Sequence, residues 1–214
     1  MTQLRYQRDP KAIYAASFAT VRAEANLDRF SAEMQAVAIR LIHACGMVEV
    51  ADRIAYSPDA AIVGSRALAG GAPILCDCEM VGAGIIRRYL PADNAVIVTL
   101  NDETVPARAQ AIENTRSAAA VELWEPHIAG SVVVIGNAPT ALFHLLELID
   151  QGFPKPACIL GFPVGFVGAA ESKAALAANA RGCEFIALRG RRGGSAIASA
   201  ALNALAAGLP ELST

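Results

Sequence analysis

Short runs of apolar, β-branched residues alternate with alanine-rich segments of helical spacing from residue 74 onward. The apolar runs predict five buried strands, over 74–78, 95–100, 131–136, 157–161 and 185–188. The segments between and after them predict helices, over 79–89, 102–124 (as one helix or two), 139–151, 169–181 and 195–207. This alternation indicates a parallel sheet with helices packed on both of its faces.

The predicted fold class is α/β, a three-layer, doubly wound arrangement of the flavodoxin-like type with a mainly parallel five-stranded sheet. The first seventy residues show no strand-like run and predict extra N-terminal helices, over 10–25, 28–45 and 58–68. Ser57 precedes Pro58 and Asp59, a pattern in which the serine caps the third helix. Because no flexible linker interrupts the chain, we expect one domain over 1–214, with segment 1–72 packed on the sheet or on a partner subunit.

The composition excludes several classes of protein. With 54% hydrophobic and 18% charged residues, the chain is too apolar to be disordered. No apolar run is long enough to span a bilayer and residues 1–30 lack the apolar core of a signal peptide, so we expect a cytoplasmic protein that does not bind membranes. A net charge of -2 gives no general attraction to nucleic acid, so an anionic ligand needs a local cluster of arginines.

The 5 cysteines are expected to be buried free thiols, because they lie mostly within predicted strands or helices. Cys76 and Cys78 share one face of a predicted strand, but no second pair of ligands has the spacing of a zinc site. We therefore expect no structural metal.

The residues that follow each strand gather at one edge of a parallel sheet, where open α/β sheets bind their ligands. That edge collects Asp77, Glu79, Asn101 and Asp102, the turn 136–140, the glycine-rich turn 161–168 and the segment 189–195. The turn 161–168 has neither a Walker lysine nor the spacing of a dinucleotide fingerprint. Its two phenylalanines are expected to be exposed and favour a flat organic ligand. The arginines and glycines of 189–195 are typical of a carboxylate or phosphate site, although a solvated turn explains them equally well.

Two further groups have a structural interpretation beside a chemical one. Asp77 and Glu79 can form a paired acid and base or can cap the helix that follows them, and capping is the commoner role. The turn 136–140 can present Asn137 and Thr140 to a ligand or can simply start a helix at Pro139.

Among the 3 histidines, His127 is expected in an exposed loop and His144 as a partly buried helix residue. His43 lies opposite the apolar stripe of helix 28–45, on a back face less polar than a solvated helix normally presents. We therefore expect another subunit, a ligand or both to cover that face. Histidine is the usual proton donor in catalysis, although a surface histidine is the simpler interpretation. No nucleophile elbow accompanies it, which disfavours a triad hydrolase.

In combination, several segments resemble the precorrin-8X methylmutase family, also called precorrin isomerase, of the cobalamin pathway. The matching segments are 40–46 (RLIHACG), 77–80 (DCEM), 136–141 (GNAPTA), 161–167 (GFPVGFV), 171–173 (ESK) and 191–195 (RRGGS). The resemblance extends from about Tyr6 to Ala207. It implies a homodimeric isomerase of the flavodoxin-like fold that needs no cofactor. The implied reaction moves a methyl group from carbon 11 to carbon 12 of precorrin-8X and forms hydrogenobyrinate. The cobalt-containing counterpart of precorrin-8X is the other substrate that the resemblance implies.

The family's catalytic histidine corresponds to His43, and the resemblance implies that it donates a proton to the macrocycle. The family's substrate is a large, partly apolar disc with a rim of carboxylates, so we expect it to contact apolar and cationic side chains. The predicted substrate-binding residues are Arg40, Arg116, Asn137, Thr140, Phe162, Val164, Phe166, Arg191, Arg192, Gly193, Gly194 and Ser195. Neither a metal nor a cofactor is expected. Two alternatives stay open, a flavin- or nucleotide-binding module of the same fold and a non-enzymatic tetrapyrrole carrier.

Overall fold

A six-stranded sheet forms the middle layer of the structure, a computed structural model that describes residues 4–207. The strands are β1 (Ile54–Tyr56), β2 (Ile74–Cys76), β3 (Val96–Val98), β4 (Val132–Ile135), β5 (Cys158–Gly161) and β6 (Glu184–Leu188). Their order is β1-β6-β5-β4-β2-β3, with β2 to β6 parallel. The five parallel strands therefore follow the flavodoxin-like order, which confirms the predicted fold class. The ends of the predicted domain, 1–3 and 208–214, lie outside the described residues.

Strand β1 contradicts the expectation that the first seventy residues contain no strand. It pairs antiparallel with β6, in a register that places Ile54 opposite Leu188 and Tyr56 opposite Ile186. Three residues are too few to show a two-residue alternation, so the sequence carried no signal for this strand. The pairing of β1 with β6 places Arg53 beside the carboxyl end of β6, where the Arg53 carbonyl accepts the Arg189 N–H at 2.8 Å.

The helices flank the sheet in nearly the predicted places. They are α1 (Pro10–Glu24), α2 (Ala32–Cys45), α3 (Ala60–Ala69), α4 (Glu79–Gly84), α5 (Val105–Ala111), α6 (Arg116–Glu122), α7 (Pro139–Asp150), α8 (Ala169–Ala178) and α9 (Ser195–Ala206). Short 3-10 helices occupy Val48–Arg53 and Arg87–Tyr89. The predicted segment 102–124 is two helices, and the predicted helix 79–89 already ends at Gly84.

Two predicted helix starts are wrong. Helix α2 begins at Ala32 instead of residue 28, because the Ser31 side chain accepts the Met34 N–H at 3.4 Å and caps the helix there. Ser57 does not cap α3. Its hydroxyl instead donates to the Glu184 carboxylate and accepts the Phe185 N–H at 2.9 Å, so it ties this segment to β6.

Alternate residues of each strand enter different cores. Ile74 and Cys76 of β2 lie in the core formed with α2, α3, α4 and α9, whereas Leu75 points into the core formed with α6, α7 and α8. Because both faces are covered, the parallel strands are apolar, as such strands usually are, except for Glu184 at the start of β6. Within residues 4–207, no helix has the length and apolar character needed to cross a membrane.

Candidate active site

His43 lies in the last turn of α2 with its side chain exposed to solvent. Its Nδ1 atom is 2.9 Å from the Ser17 hydroxyl of α1. The imidazole centroid lies 5.5 Å from the ring of Tyr14 and 5.3 Å from the ring of Phe18. Helix α1 therefore fixes one side of the imidazole by a hydrogen bond and two aromatic contacts, and leaves the ring accessible.

Helix α1 also explains the weakly polar back face of α2. Ala36 and Ile39 on that face are buried, and α1 of the same chain packs against α2. The expectation that another subunit, a ligand or both cover that face is therefore wrong for Ala36 and Ile39, which the same chain buries. Ser17 was not predicted as a site residue. The available signal was the spacing of Tyr14, Ser17 and Phe18, which places all three on one helix face.

Arg40, a predicted substrate-binding residue, lies one helical turn before His43 and is half-buried. Its guanidinium carbon lies 5.5 Å from the centroid of Phe18 and 5.9 Å from that of Tyr89. Since Phe18 contacts both side chains, Arg40 and His43 belong to one cluster at the carboxyl end of α2.

The carboxyl end of α2 lies close to the predicted arginine segment. Glu49, in the 3-10 helix that follows α2, pairs with Arg192 at 2.6 Å, and this contact holds the pKa of the Glu49 carboxyl below its usual value. Burial raises the pKa of the Cys45 thiol at the end of α2, and the charges of Glu49 and Arg192 shift that pKa in opposite directions. The structure thus brings the His43 cluster and Arg192 to the same side of the molecule, and Arg192 already has a carboxylate partner there.

Two loops at the carboxyl edge of the sheet are held together by their backbones, and we call them the paired loops (residues 162–168 and 189–194). The Gly194 N–H donates to the Phe162 carbonyl at 2.8 Å, and the Gly165 N–H donates to the Arg191 carbonyl at 3.2 Å. A Cβ atom on Gly193 would lie only 2.2 Å from the Phe162 oxygen. Residue 193 must therefore be glycine for the loops to approach this closely.

The expectation that Phe162 is exposed to the ligand is wrong. Its side chain is fully buried in the core on the α2 side of the sheet, because it continues directly from the buried end of β5. Phe166 is 86% exposed and Val164 44% exposed, so these two can offer an apolar surface. The Arg191 guanidinium lies 5.2 Å from the centroid of Phe166, which puts a cation beside that surface.

Lys173 of α8 is the most unusual charged residue near the paired loops, and the sequence analysis assigned it no role. Its side chain is completely buried, and Nζ donates to the Arg192 carbonyl at 2.5 Å. Burial lowers the pKa of Lys173 to about 8.

Asp77 is a structural carboxylate. It is buried and accepts the backbone N–H groups of Gly136, Asn137 and Ala138 at 2.8–2.9 Å. Burial raises its pKa, and the three hydrogen bonds oppose that effect. Asp77 therefore holds the turn before α7 instead of capping α4. It is not paired with Glu79, which is exposed and has its Oε1 atom 3.5 Å from the Asn101 amide nitrogen.

The remaining predicted residues lie farther along the same edge. Arg116 is exposed and donates to the Leu100 carbonyl at 3.2 Å, just beyond β3. The Thr140 hydroxyl is 2.7 Å from that of Thr115, and the Asn137 side chain is exposed. Arg116, Asn137 and Thr140 thus gather where β3 and β4 end.

Ser195 is the last of the predicted site residues. Ser195 begins α9 and is half-buried, with its hydroxyl 3.6 Å from the Cys78 sulfur. All five cysteines are free thiols, as predicted, and four of them are buried, whereas Cys45 is only half-buried. Among the residues that the structure describes, no group of three or more His, Cys, Asp or Glu side chains is arranged to hold a metal. His127 is exposed, and His144 is half-buried against Glu122 at 3.2 Å, as predicted.

Comparison with known proteins identifies close relatives. A family model described as CbiC, precorrin-8X methylmutase, matches residues 12–207. Proteins named precorrin-8X methylmutase from Pseudomonas aeruginosa and a Sinorhizobium species are 62% and 59% identical, over 94% and 96% of this chain and 97% and 98% of their own. A cobalt-precorrin-8 methylmutase from Priestia megaterium is 34% identical over 92% of this chain and 87% of its own. The solved precorrin-8X methylmutase of Thermus thermophilus superposes with a TM-score of 0.82 at 38% identity, over 92% of this chain and 94% of that one.

Proposed function

Because the chain belongs to the precorrin-8X methylmutase family and is an isomerase of cobalamin biosynthesis, we propose that it acts on precorrin-8X itself. The bond between the methyl carbon and carbon 11 breaks and a bond to carbon 12 forms, giving hydrogenobyrinate. Substrate and product have the same mass, so the reaction needs neither an oxidant nor a second substrate.

The observation that carries the proposal is the setting of His43. The imidazole is accessible on one side and is held on the other by Ser17, Tyr14 and Phe18. A ring fixed in this way can donate a proton to one position of a bound macrocycle and stabilise the tautomer that follows methyl migration. A positioned acid of this kind contributes about 10²–10⁴-fold in rate.

The sheet edge provides groups suited to the rest of the substrate. Phe166 and Val164 offer apolar surface to the macrocycle. Arg191, Arg192 and Arg116 offer guanidinium groups to the peripheral carboxylates, which arginine binds with paired hydrogen bonds. The pairing of Arg192 with Glu49 fits this role, since a substrate carboxylate can replace the protein carboxylate.

The proposed substrate is the cobalt-free compound. The two relatives named precorrin-8X methylmutase are 62% and 59% identical to the chain, whereas the cobalt-precorrin-8 methylmutase of Priestia megaterium is 34% identical. This difference in identity favours the cobalt-free form.

We further propose a homodimer in the cytoplasm. The side of His43 that faces away from α1 is open, and a disc lying there would have one face in water unless a second surface covered it. A second copy of the chain is the simplest cover. Five unpaired thiols are typical of a reducing compartment.

Incubation with precorrin-8X tests the function directly. We expect the absorption spectrum to change while the mass stays constant. A spectrum that never changes despite tight pigment binding would instead identify a carrier, and a yellow protein retaining flavin would support the flavin-binding alternative.

The role of His43 is tested with His43→Asn, which removes the proton donor and keeps a polar side chain. We expect kcat to fall by at least about 10²-fold, while the Kd for hydrogenobyrinate changes less than about threefold. His127→Asn, a change at an exposed loop histidine, is the matched control and should be silent. Normal turnover by His43→Asn would remove His43 from the mechanism.

A further inference from the structure

Lys173 carries a buried amine. Its side chain has no exposed surface, and no ion pair to it is present within residues 4–207. Burial alone lowers its pKa to about 8. The neighbouring α8 residues Ser172 and Leu176 are also buried, so an apolar side chain would suit this position at least as well. The fold itself gives no reason for a lysine here.

The side-chain hydrogen bond that Lys173 makes within the described residues points to its role. Nζ donates to the backbone carbonyl of Arg192, the residue whose guanidinium pairs with Glu49. On either side of Arg192, the loop is held by backbone bonds, at the Arg191 carbonyl and at the Gly194 N–H. Lys173 therefore supplies the side-chain tie at the centre of a segment whose ends are already fixed.

We propose that Lys173 is a positioning residue for substrate binding, which fixes the backbone at Arg192 so that the arginines of the paired loops are presented to the carboxylates of the substrate. This inference rests on the proposed function, since it assigns those arginines a polycarboxylate ligand. It explains why a buried amine is retained beneath the loop. A more flexible loop would lose conformational freedom on binding, and affinity would fall accordingly.

The test uses Lys173→Met, which removes the donor and the charge at similar length. We expect the Kd for hydrogenobyrinate, measured by absorbance titration of the full chain, to rise by about tenfold or more. The KM for precorrin-8X should rise in parallel, kcat should change less than about threefold, and the thermal midpoint should not fall. Lys155→Met, at an exposed lysine just before β5 and so at the opposite edge of the sheet, is the matched control and should leave Kd unchanged.

A second variant separates the hydrogen bond from the charge. Lys173→Gln keeps an N–H donor but no charge, so it should recover most of the affinity if the contact with the Arg192 carbonyl matters. The double variant Lys173→Met/Arg192→Ala should have a Kd no more than about twofold above that of the single variant that binds less tightly, because both changes act on one loop.

Several results would overturn the inference. One is an unchanged Kd in Lys173→Met. Another is a Kd that rises in both Lys173 variants only where the protein also loses its fold. A third is full additivity of the binding free-energy changes of Lys173→Met and Arg192→Ala. A wild-type protein that leaves precorrin-8X unchanged would refute the proposed function instead. The Kd series would still decide the role of Lys173 in that case, since it needs no turnover.

Discussion

Replacing Gly193 by alanine perturbs the paired loops at their closest approach. The new Cβ would lie 2.2 Å from the Phe162 oxygen and 2.6 Å from the Pro163 oxygen. Carbon–oxygen contacts normally begin near about 3.3 Å, so the backbones must separate by about 1 Å. The Gly194–Phe162 hydrogen bond, now 2.8 Å, would then exceed bonding distance. Its loss contributes about 1 kcal/mol and the strain about 1–3 kcal/mol, which together destabilise the protein by about 2–4 kcal/mol.

Urea denaturation measures this change. With an m-value of about 2 kcal/mol/M, the midpoint of Gly193→Ala should fall by about 1–2 M. The Kd for hydrogenobyrinate should rise in the fraction that stays folded, because the loop that carries Arg192 has moved. Gly70→Ala is the control, since its φ of -79° suits alanine and its nearest non-neighbouring atoms are 3.4 Å away. If both variants have the same midpoint, the close approach of the paired loops is refuted.

Two further predictions concern the histidine cluster and the buried lysine. Ser17→Ala should lower kcat about fivefold at unchanged Kd, because the imidazole loses one hydrogen bond that orients it. Thr20→Ala is the control and should leave kcat unchanged, since the Thr20 hydroxyl donates to the Ala16 carbonyl. Equal kcat values for both variants would refute the orienting role of Ser17. The Lys173 pKa is about 8 in the folded protein and 10.5 in the reference state, so unfolding takes up a proton between these values. From pH 8 to 10.5 the free energy of unfolding of the wild-type protein should therefore rise by up to about 3 kcal/mol relative to that of Lys173→Met. If the urea midpoints of the two proteins change in parallel with pH, the amine is not buried.

The two halves of the candidate site come from different parts of the chain. Helices α1 and α2 supply the imidazole and its aromatic neighbours, whereas the loops after β5 and β6 supply the arginines. The Glu49–Arg192 pair links the 3-10 helix after α2 to the loop after β6. Because both partners of this pair are about half exposed, its contribution to stability is small, and its importance lies in where it holds Arg192.

Local patterns were sufficient for much of this architecture. Each parallel strand is a short apolar run followed by a helix, and the right-handed crossover rule then leaves few possible arrangements. The position of His43 opposite the apolar stripe of α2 followed from the sequence, since the rotation per residue in a helix is constant. The Phe166 side chain was likewise correctly expected at the surface of the glycine-rich turn.

Contacts between distant segments could not be read from those patterns. Phe162 and Phe166 are equivalent aromatic residues in the sequence, yet only one of them enters the core. Asp77 holds a turn that follows another strand, and Ser17 reaches His43 from a separate helix. Periodicity reports which way a side chain points from its own element, whereas burial and hydrogen bonding depend on what the rest of the chain brings to that place. Lys173 is the clearest case, because its partner is a backbone carbonyl that carries no residue identity at all.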